Sequence, residues 1–296
     1  MLKQIIIMLM LKMKNDFLKW GIRLARPWFI FGSLKRPVLP YRVNLMFFDE
    51  RLGPDKQPNV GDLLSKVIFD FLLKHKGIKS LRSRRTFRVS FLGSVIQFLT
   101  GDAVVYGSGF LYESVVGKFA SEKVKLDIRA VRGPNTRRML QSIGYTVPEI
   151  YGDPAILLPM FYQPKIADPK KEFIVIPHWK KTQDYDSNKY PVLSTLTNKW
   201  EHFIDEIVSA KLVISASLHG IIIAEAYGIP AILLGHTEKN DLFKYEDYYL
   251  STGRTNFVIA KDIEEALKLD IPEVPEFTKM QQQLLDAFPI DIFKDK

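Results

Sequence analysis

The stretch SASLHG, residues 215–220, places one of the five histidines of the chain between an apolar segment and a helix-like segment. KLVIS before it has the β-branched, apolar character of a buried parallel strand, and IIIAEAYG after it is typical of a helix that ends at a glycine. His219 is therefore predicted at the carboxyl end of a strand and in the first turn of a helix, where open α/β sheets bind ligands. Because helix starts attract anions and imidazole transfers protons near neutral pH, we predict that His219 is catalytic and that Ser217, Leu218 and Gly220 line a substrate site.

Three more loops follow predicted strands and lead towards helices, namely NVGD at 59–62, GSG at 107–109 and VRGP at 131–134. Such helix starts present backbone N–H groups to an anion. The sequence contains neither the complete glycine fingerprint of dinucleotide-binding proteins nor the GK[ST] ending of a phosphate-binding loop. The substrate-binding residues predicted in the first two loops are Asn59, Gly61, Asp62, Gly107, Ser108 and Gly109.

Arg132 is the strongest polar candidate in the first half of the chain. It follows the apolar end of a predicted strand, and Gly133 after it allows a ligand to approach the backbone closely. A guanidinium in this position could hold a carboxylate or a phosphate through two parallel hydrogen bonds, which predicts a catalytic role as an anion clamp. The alternative is an arginine paired with a structural carboxylate.

Four other polar residues are predicted to bind substrate, and each also has a structural interpretation. Asp62 and Asp153 both fit as the N-cap of the helix that follows them. His178 ends a predicted strand, where a structural hydrogen bond would account for it equally well. Glu225 lies on a different helical face from His219, so it could be a solvent-facing helix residue.

Composition excludes several classes of site. The chain has 296 residues, 47% of them hydrophobic, and a formal charge of +9, which describes a globular protein with an excess of basic groups. With no cysteine and no histidines at metal-ligand spacing, neither a metal nor another cofactor is expected. The basic run LRSRRTFR at 81–88 lacks a recognition helix or an aromatic platform, so no nucleic-acid partner is expected either.

Residues 1–40 form a basic segment with interleaved aromatic side chains. Its longest apolar run is too short to span a bilayer, and it lacks a small-residue cleavage site, so a cytoplasmic protein is expected. Two interpretations remain open: a helix packed against the protein body, or an amphipathic segment that contacts the inner face of a membrane.

The remainder of the chain alternates strand-like and helix-like segments, which predicts an α/β fold with parallel sheets. A proline-rich, charged stretch at 159–171 separates two such series. We expect two Rossmann-like, doubly wound domains that face each other across a cleft, an N-terminal domain at 41–165 and a C-terminal domain at 166–296.

Six motifs occur in the order seen in one protein family. NVGDLLSKVI, GSG, VRGPNTRRML, GDPAILLP, IPHW and SASLHGIIIAEAYGIPAI together resemble the polysaccharide pyruvyl transferases over about two thirds of the chain. The resemblance implies a fold like that of the two-domain GT-B glycosyltransferases. It also implies transfer of pyruvate from phosphoenolpyruvate to a pair of sugar hydroxyls, forming a ketal in surface polysaccharide biosynthesis. The acceptor would be a saccharide or a lipid-linked saccharide, Arg132 would bind the donor, and His219 would be the central catalytic or donor-binding residue.

The sequence departs from this pattern at one position. Members of the family often have an arginine two places before this histidine, where the present chain has Ser217. The missing cation would then come from His178, Lys180, Lys181 or Arg254, or the donor would differ.

Two alternative functions remain open. HGIIIAEAYGIPAI also resembles the stretch of GT-B glycosyltransferases that meets a nucleotide-sugar, in which case Glu225 would contact the ribose. The second alternative is a non-catalytic sugar-binding or scaffold protein of the same pathway.

Overall fold

A computed structural model describes residues 43–47, 57–79, 87–99, 101–122, 124–235 and 242–293. The basic segment at 1–40 and most of the basic run at 81–88 lie outside the described residues. Among the helices that are described, none combines the length and the apolar character needed to cross a membrane.

The described residues contain two parallel sheets of four strands each, which confirms the predicted α/β class. The first sheet is formed by β1 (Val43–Met46), β2 (Phe87–Ser90), β3 (Ala103–Tyr106) and β4 (Leu126–Ala130), in that order. The second sheet is formed by β5 (Ile174–Ile176), β6 (Val213–Ser215), β7 (Ala231–Leu234) and β8 (Ile259–Ala260), again in that order.

Helices connect the strands of both sheets. The α-helices are α1 (Val60–His75), α2 (Val116–Ser121), α3 (Pro134–Ser142), α4 (Trp200–Val208), α5 (Leu218–Ala226), α6 (Phe243–Ser251), α7 (Ile263–Ala266) and α8 (Thr278–Ala287). Short 3₁₀ helices are found at Ile96–Phe98, Glu113–Val115, Pro154–Met160, Trp179–Asp184 and Ile290–Ile292.

The described strands of both sheets follow chain order. In the second sheet, Val175 of β5 pairs with Ile214 of β6 and also forms an isolated parallel bridge to Val192, which lies outside the named strands. The parallel order is consistent with a Rossmann-like fold, and the doubly wound arrangement of two domains across a cleft stays a prediction.

Helix boundaries follow local capping signals. Gly77, Gly144 and Gly228 each lie just past the end of a helix with positive φ, as predicted from their positions. Asp62 does not cap α1, because the helix begins at Val60 and the side chain of Asn59 accepts a hydrogen bond from the Gly61 N–H. The N-cap interpretation of Asp62 was therefore wrong by three residues, and Asp62 lies within the first turn.

A continuous apolar core joins the two halves of the protein. The largest cluster of buried side chains includes Leu45 and Phe91 of the first half and Ile176 and Ile222 of the second. At its centre is α5, which packs against β6, β7, α4 and the 3₁₀ helix at Pro154–Met160. Because α5 is buried on nearly every side, the apolar sequence IIIA is accommodated without a polar face.

The last α-helix, α8, packs against the first half of the protein. The hydroxyl of Tyr106 in β3 donates a hydrogen bond of 2.6 Å to the Leu284 carbonyl in α8. Gln281 of the same helix donates to the carbonyl of Ile156 at 2.8 Å. Thus, within the region 166–296 that the sequence assigns to a second domain, one late segment packs against the first sheet.

Candidate functional site

His219 is held at the start of α5 by a tight turn after β6. The Ser215 hydroxyl accepts from the Ser217 N–H at 3.0 Å, and Ser217 is the N-cap of α5, with its hydroxyl 3.4 Å from the Gly220 N–H. Gly220 packs against Ser215 and Ile176, where a Cβ atom would lie 2.5 Å from the Ser215 hydroxyl. His219 therefore projects from the first turn of a helix that close packing fixes to the ends of β5 and β6.

The imidazole of His219 reaches the first half of the protein. A Cβ atom on Gly61, in the first turn of α1, would overlap Nδ1 of His219 and lie 3.1 Å from its Cγ. On another side, a Cβ atom on Gly93 would lie 3.6 Å from Cε1. Gly93 follows β2 and has a φ of +80°, a conformation that favours glycine. Glycines at both positions thus allow α1 and the loop after β2 to contact the imidazole.

Replacing Gly61 by alanine is expected to disrupt this contact, because the new methyl group would occupy the space of Nδ1. His219 must then move, and we expect a loss of stability of about 1–3 kcal/mol. The matched control is Gly117→Ala in α2, where a Cβ atom would meet nothing within 4 Å. Thermal unfolding of both variants checks this expectation; equal unfolding temperatures of the two variants would contradict it.

Asp153 faces His219 from the opposite side of the imidazole. Its Oδ1 accepts from the Ala155 N–H at 3.0 Å and caps the 3₁₀ helix, as predicted for this residue. Its Oδ2 lies 3.8 Å from Nε2 of His219, beyond hydrogen-bond distance. Both atoms are buried, and neither has a hydrogen-bond partner among the described residues. Since buried polar atoms are nearly always paired, this unsatisfied carboxylate–imidazole pair is the candidate functional site.

The surroundings of His219 disfavour its charged form. Burial lowers the pKa of the imidazole below its usual value, Asp153 acts in the opposite direction, and the positive charges of Lys244 and Arg132 lower the pKa further. The side chain is 17% exposed, but Nε2 itself is buried, so the desolvation acts on the titrating ring. Without a bound anion, His219 is therefore neutral near pH 7.

This lowered pKa makes stability depend on pH. The unfolded chain binds a proton at His219 with the usual pKa of 6.5, whereas the folded protein binds it only at lower pH. The contribution of His219 is therefore fully present above about pH 6.5 and is lost as the pH falls towards the folded-state value. We expect the difference in unfolding temperature between about pH 7.5 and about pH 5.5 to be larger for the wild type than for His219→Gln. Equal differences would exclude the lowered pKa.

Arg132 lies beside this pair but is fully buried. Its Nε bonds Asp247 at 3.0 Å, its Nη1 donates to the Ser94 hydroxyl at 2.6 Å, and its Nη2 donates to the Phe110 carbonyl at 2.7 Å. This is the geometry of the alternative interpretation, an arginine paired with a structural carboxylate, and it leaves the guanidinium without a path to a ligand in this arrangement. Removing either charge would leave the other buried and unpaired, which typically costs about 3–5 kcal/mol.

The GSG loop supports Arg132. A Cβ atom on Gly109 would lie 2.5 Å from Cζ of Arg132, so only glycine allows the guanidinium to pack there. The Ser108 hydroxyl accepts from Ser90 at 2.9 Å and lies 3.1 Å from the Gly93 carbonyl, to which it donates. Gly107 has a φ of +75° and packs against Pro154, next to Asp153. The GSG loop thus packs against Arg132 on one side and against Pro154, the neighbour of Asp153, on the other.

Glu225 and His178 form hydrogen bonds with groups other than the carboxylate–imidazole pair. Glu225 is buried, and both of its oxygens accept hydrogen bonds of 2.7 Å from Arg254, with the Tyr248 hydroxyl at 2.5 Å from one of them. This contradicts the solvent-facing interpretation and shows that Arg254 is engaged elsewhere than at Ser217. The Nδ1 atom of His178 accepts from the Lys180 N–H at 3.4 Å and caps the 3₁₀ helix after β5.

Four residues of the site were missed in the sequence. Gly93 and Ser94 follow β2, and Lys244 and Asp247 belong to α6. Neither β2 nor α6 is predicted from the sequence. FLGS at 91–94 repeats the pattern of a strand end followed by glycine and serine, which could have identified the first pair. Nothing comparable distinguishes KYED at 244–247. In the part of the chain that the structure describes, no group of three or more potential ligands could hold a metal ion.

The chain is similar to one protein family and to two further proteins. The family model described as polysaccharide pyruvyl transferase matches residues 59–238, from the loop before α1 to a point just beyond β7. The uncharacterized protein L143 of Acanthamoeba polyphaga mimivirus is 28% identical over 210 residues, which cover 65% of this chain and 70% of L143. The succinoglycan biosynthesis protein ExoV of Rhizobium meliloti (strain 1021) is 29% identical over 213 residues, covering 67% of this chain and 62% of ExoV.

The matched region contains Asp153 and His219, and it also contains Gly61 and Gly93, the two glycines that contact the imidazole. Since the family model spans more than half of the chain, the match defines its membership. The chain belongs to the polysaccharide pyruvyl transferase family.

Proposed function

We propose that this protein transfers pyruvate from phosphoenolpyruvate to two hydroxyls of a saccharide, forming a ketal and releasing phosphate. The observation that carries the proposal is the buried pair of Asp153 Oδ2 and His219 Nε2, 3.8 Å apart and without other hydrogen-bond partners among the described residues. Family membership supports the reaction class, and the name of ExoV supports a role in polysaccharide biosynthesis.

The reaction needs one acid and then one base. Protonation of the methylene carbon of phosphoenolpyruvate makes C2 electrophilic, and an acceptor hydroxyl attacks C2 and gives up its proton. The bond from C2 to the phosphate oxygen then breaks, and attack by the second hydroxyl closes the ketal. One hydroxyl proton replaces the proton given to the methylene, and the other leaves with phosphate. A single imidazole can serve in both steps, because it returns to its starting state after each turnover.

In this proposal Asp153 holds the imidazole and stabilises its protonated form. The lowered pKa of His219 describes the ligand-free site, where Lys244 and Arg132 oppose protonation. A multiply charged anion beside the ring would offset these positive charges and raise the pKa of His219. Binding of phosphoenolpyruvate would thus itself generate the imidazolium that acts as general acid.

Two helix starts converge at the proposed donor position. Gly61 in the first turn of α1 contacts His219 in the first turn of α5. The positive ends of two helix dipoles repel each other, and an anion beside both helix starts relieves the repulsion. This arrangement supports Asn59, Gly61, Ser217, Leu218 and Gly220 as the donor-binding loops.

A nucleotide-sugar donor is less well supported. On that alternative Glu225 would bind the ribose, but both of its carboxylate oxygens already accept hydrogen bonds from Arg254. Ribose binding would have to break a buried, bidentate ion pair. We therefore keep pyruvyl transfer to a saccharide or lipid-linked saccharide as the function. The absence of cysteine suits a cytoplasmic site for it.

Thermal-shift titration tests the donor. A ligand that binds only the folded state raises stability with the logarithm of its concentration. We expect phosphoenolpyruvate to raise the unfolding temperature, and a nucleotide-sugar such as UDP-glucose to leave it unchanged. Stabilisation by UDP-glucose alone would favour the glycosyltransferase, and indifference to both ligands would favour a non-catalytic protein.

A further inference from the structure

The segment that follows β5 carries an exposed tryptophan. Trp179 is 43% exposed, and over the residues that the structure describes it is the one phenylalanine, tyrosine or tryptophan side chain that is neither buried nor half-buried. Exposure alone does not indicate a site, because single apolar side chains are common on protein surfaces. The backbone that holds Trp179 and its place in the sheet are what set it apart.

Hydrogen bonds fix the backbone around Trp179, which begins the 3₁₀ helix Trp179–Asp184. The imidazole Nδ1 of His178 accepts from the Lys180 N–H at 3.4 Å and caps this helix. The His178 carbonyl accepts from the Lys181 N–H at 2.8 Å. The indole is therefore carried by an ordered turn, as expected of a side chain that must meet a ligand in one orientation.

Trp179 lies at the same edge of the second sheet as His219. The carbonyl of Ile176, the last residue of β5, accepts from the Ala216 N–H at 2.8 Å in the turn that leads to α5. Trp179 follows Ile176 by three residues, and His219 follows Ala216 by three. Because three residues span at most about 11 Å, both residues lie close to this hydrogen bond. They share the carboxyl ends of β5 and β6, where open α/β sheets bind ligands.

We propose that Trp179 is an acceptor-binding residue, on whose indole one hexopyranose ring of the saccharide acceptor stacks while the donor binds at His219. One face of a hexopyranose presents C–H groups, which pack against the electron-rich face of an indole. The hydroxyls at the edge of the sugar ring stay available for hydrogen bonds and for reaction. The inference rests on the proposed function, because it takes a saccharide as the acceptor.

The neighbours of Trp179 favour a saccharide over a membrane or a protein partner. The Lys180 ammonium lies 5.2 Å from the centre of the indole. Such a contact is weak at an exposed site, so a sugar ring can displace the ammonium, which is then a hydrogen-bond donor for the sugar hydroxyls. The rest of this 3₁₀ helix, KKTQD at 180–184, is polar. It offers no apolar face of the size that a bilayer or a protein interface requires.

Calorimetric titration of the full chain with neutral oligosaccharides tests the inference. The probes are cellotriose, maltotriose and lactose, which present glucose and galactose rings in different linkages. Trp179→Ala should weaken binding by about 5- to 30-fold, the loss typical of a tryptophan that anchors a ligand. Trp179→Tyr should retain most of the binding, because a phenol ring also stacks on a sugar. Both variants should keep the wild-type unfolding temperature and the wild-type affinity for phosphoenolpyruvate.

Two further variants separate the indole from its surroundings. Ile271→Ala removes another exposed apolar side chain, 64% exposed, and should bind the oligosaccharides like the wild type. Lys180→Met removes the ammonium over the ring and should weaken binding less than Trp179→Ala does. If Lys180→Met abolished binding and Trp179→Ala did not weaken it, the ammonium would hold the sugar and the inference would be wrong.

The remaining outcomes distinguish the two proposals. A wild type that binds phosphoenolpyruvate but none of the three oligosaccharides would overturn the role of Trp179 and leave the proposed function standing. Oligosaccharide binding that depends on Trp179, in a protein that does not bind phosphoenolpyruvate, would support the role of Trp179 and contradict the proposed donor. Sedimentation with phosphatidylglycerol vesicles covers the membrane alternative. Loss of vesicle binding in Trp179→Ala, with oligosaccharide binding unchanged, would overturn the inference in favour of a membrane contact.

Discussion

Replacing His219 by glutamine is expected to lower the rate of phosphate release from phosphoenolpyruvate in the presence of a saccharide acceptor by about 100- to 10,000-fold. Glutamine can hydrogen-bond but cannot transfer a proton near neutral pH, so the methylene carbon would lose its acid. The unfolding temperature should stay unchanged or rise, because Nε2 of His219 has no hydrogen-bond partner among the described residues to lose.

The matched control is His202→Gln on the exposed surface of α4, which should leave the rate unchanged. The two variants make the same chemical change at a buried and at an exposed position, so their comparison isolates the site. A His219→Gln variant with the kcat/KM of the wild type would show that another group protonates the donor.

Replacing Asp153 by asparagine is expected to cost about 100- to 10,000-fold in kcat, comparable with the loss of a carboxylate that orients a catalytic histidine. Asparagine keeps an oxygen that can accept from the Ala155 N–H, so the cap of the 3₁₀ helix is preserved. The change removes the charge that raises the pKa of His219. The pH profile of the residual activity should therefore shift to lower pH.

Asp262→Asn provides the control for the capping role. Asp262 is exposed and is the N-cap of α7, where it accepts from the Glu265 N–H at 2.8 Å. The variant therefore makes the same aspartate-to-asparagine change at another N-cap. It should lose neither activity nor the wild-type pH profile. If Asp153→Asn had a normal kcat but lower stability, Asp153 would act only as the N-cap of the 3₁₀ helix.

The sequence predicted the elements whose local signals were strong. Leu64, Ile68 and Leu72 of α1 recur every four residues, and all are buried. The apolar strands β6 and β7, with α5 between them, were equally evident, and with them the position of His219. The parallel α/β class follows from this alternation.

The contacts between distant segments could not be predicted from local pattern. Asp247 bonds Arg132 across 115 positions of the chain, and KYEDYY has no regular apolar spacing to mark it as a buried helix. Charged residues at 82–88 likewise obscured β2, whose strand begins within that basic run. For this reason Arg132 was interpreted as a ligand clamp, although its partner lies within the protein.

Ser217 shows the same limit at the site itself. Its position before His219 indicated a departure from the family pattern, and its hydroxyl is now seen to cap α5. The carbonyl of Ala216, just before Ser217, accepts a hydrogen bond from Tyr245 of α6, a helix that begins 26 residues after Ser217 in the sequence. Tertiary packing, not spacing, places α6 against this turn.

A crystal structure of the protein soaked with phosphoenolpyruvate tests the central claim most directly. We expect the donor beside the first turns of α1 and α5, with an oxygen or the methylene carbon in contact with the imidazole of His219 and with the carboxylate of Asp153 next to the ring. Donor density bound elsewhere, with the His219–Asp153 pair unchanged and untouched, would contradict it.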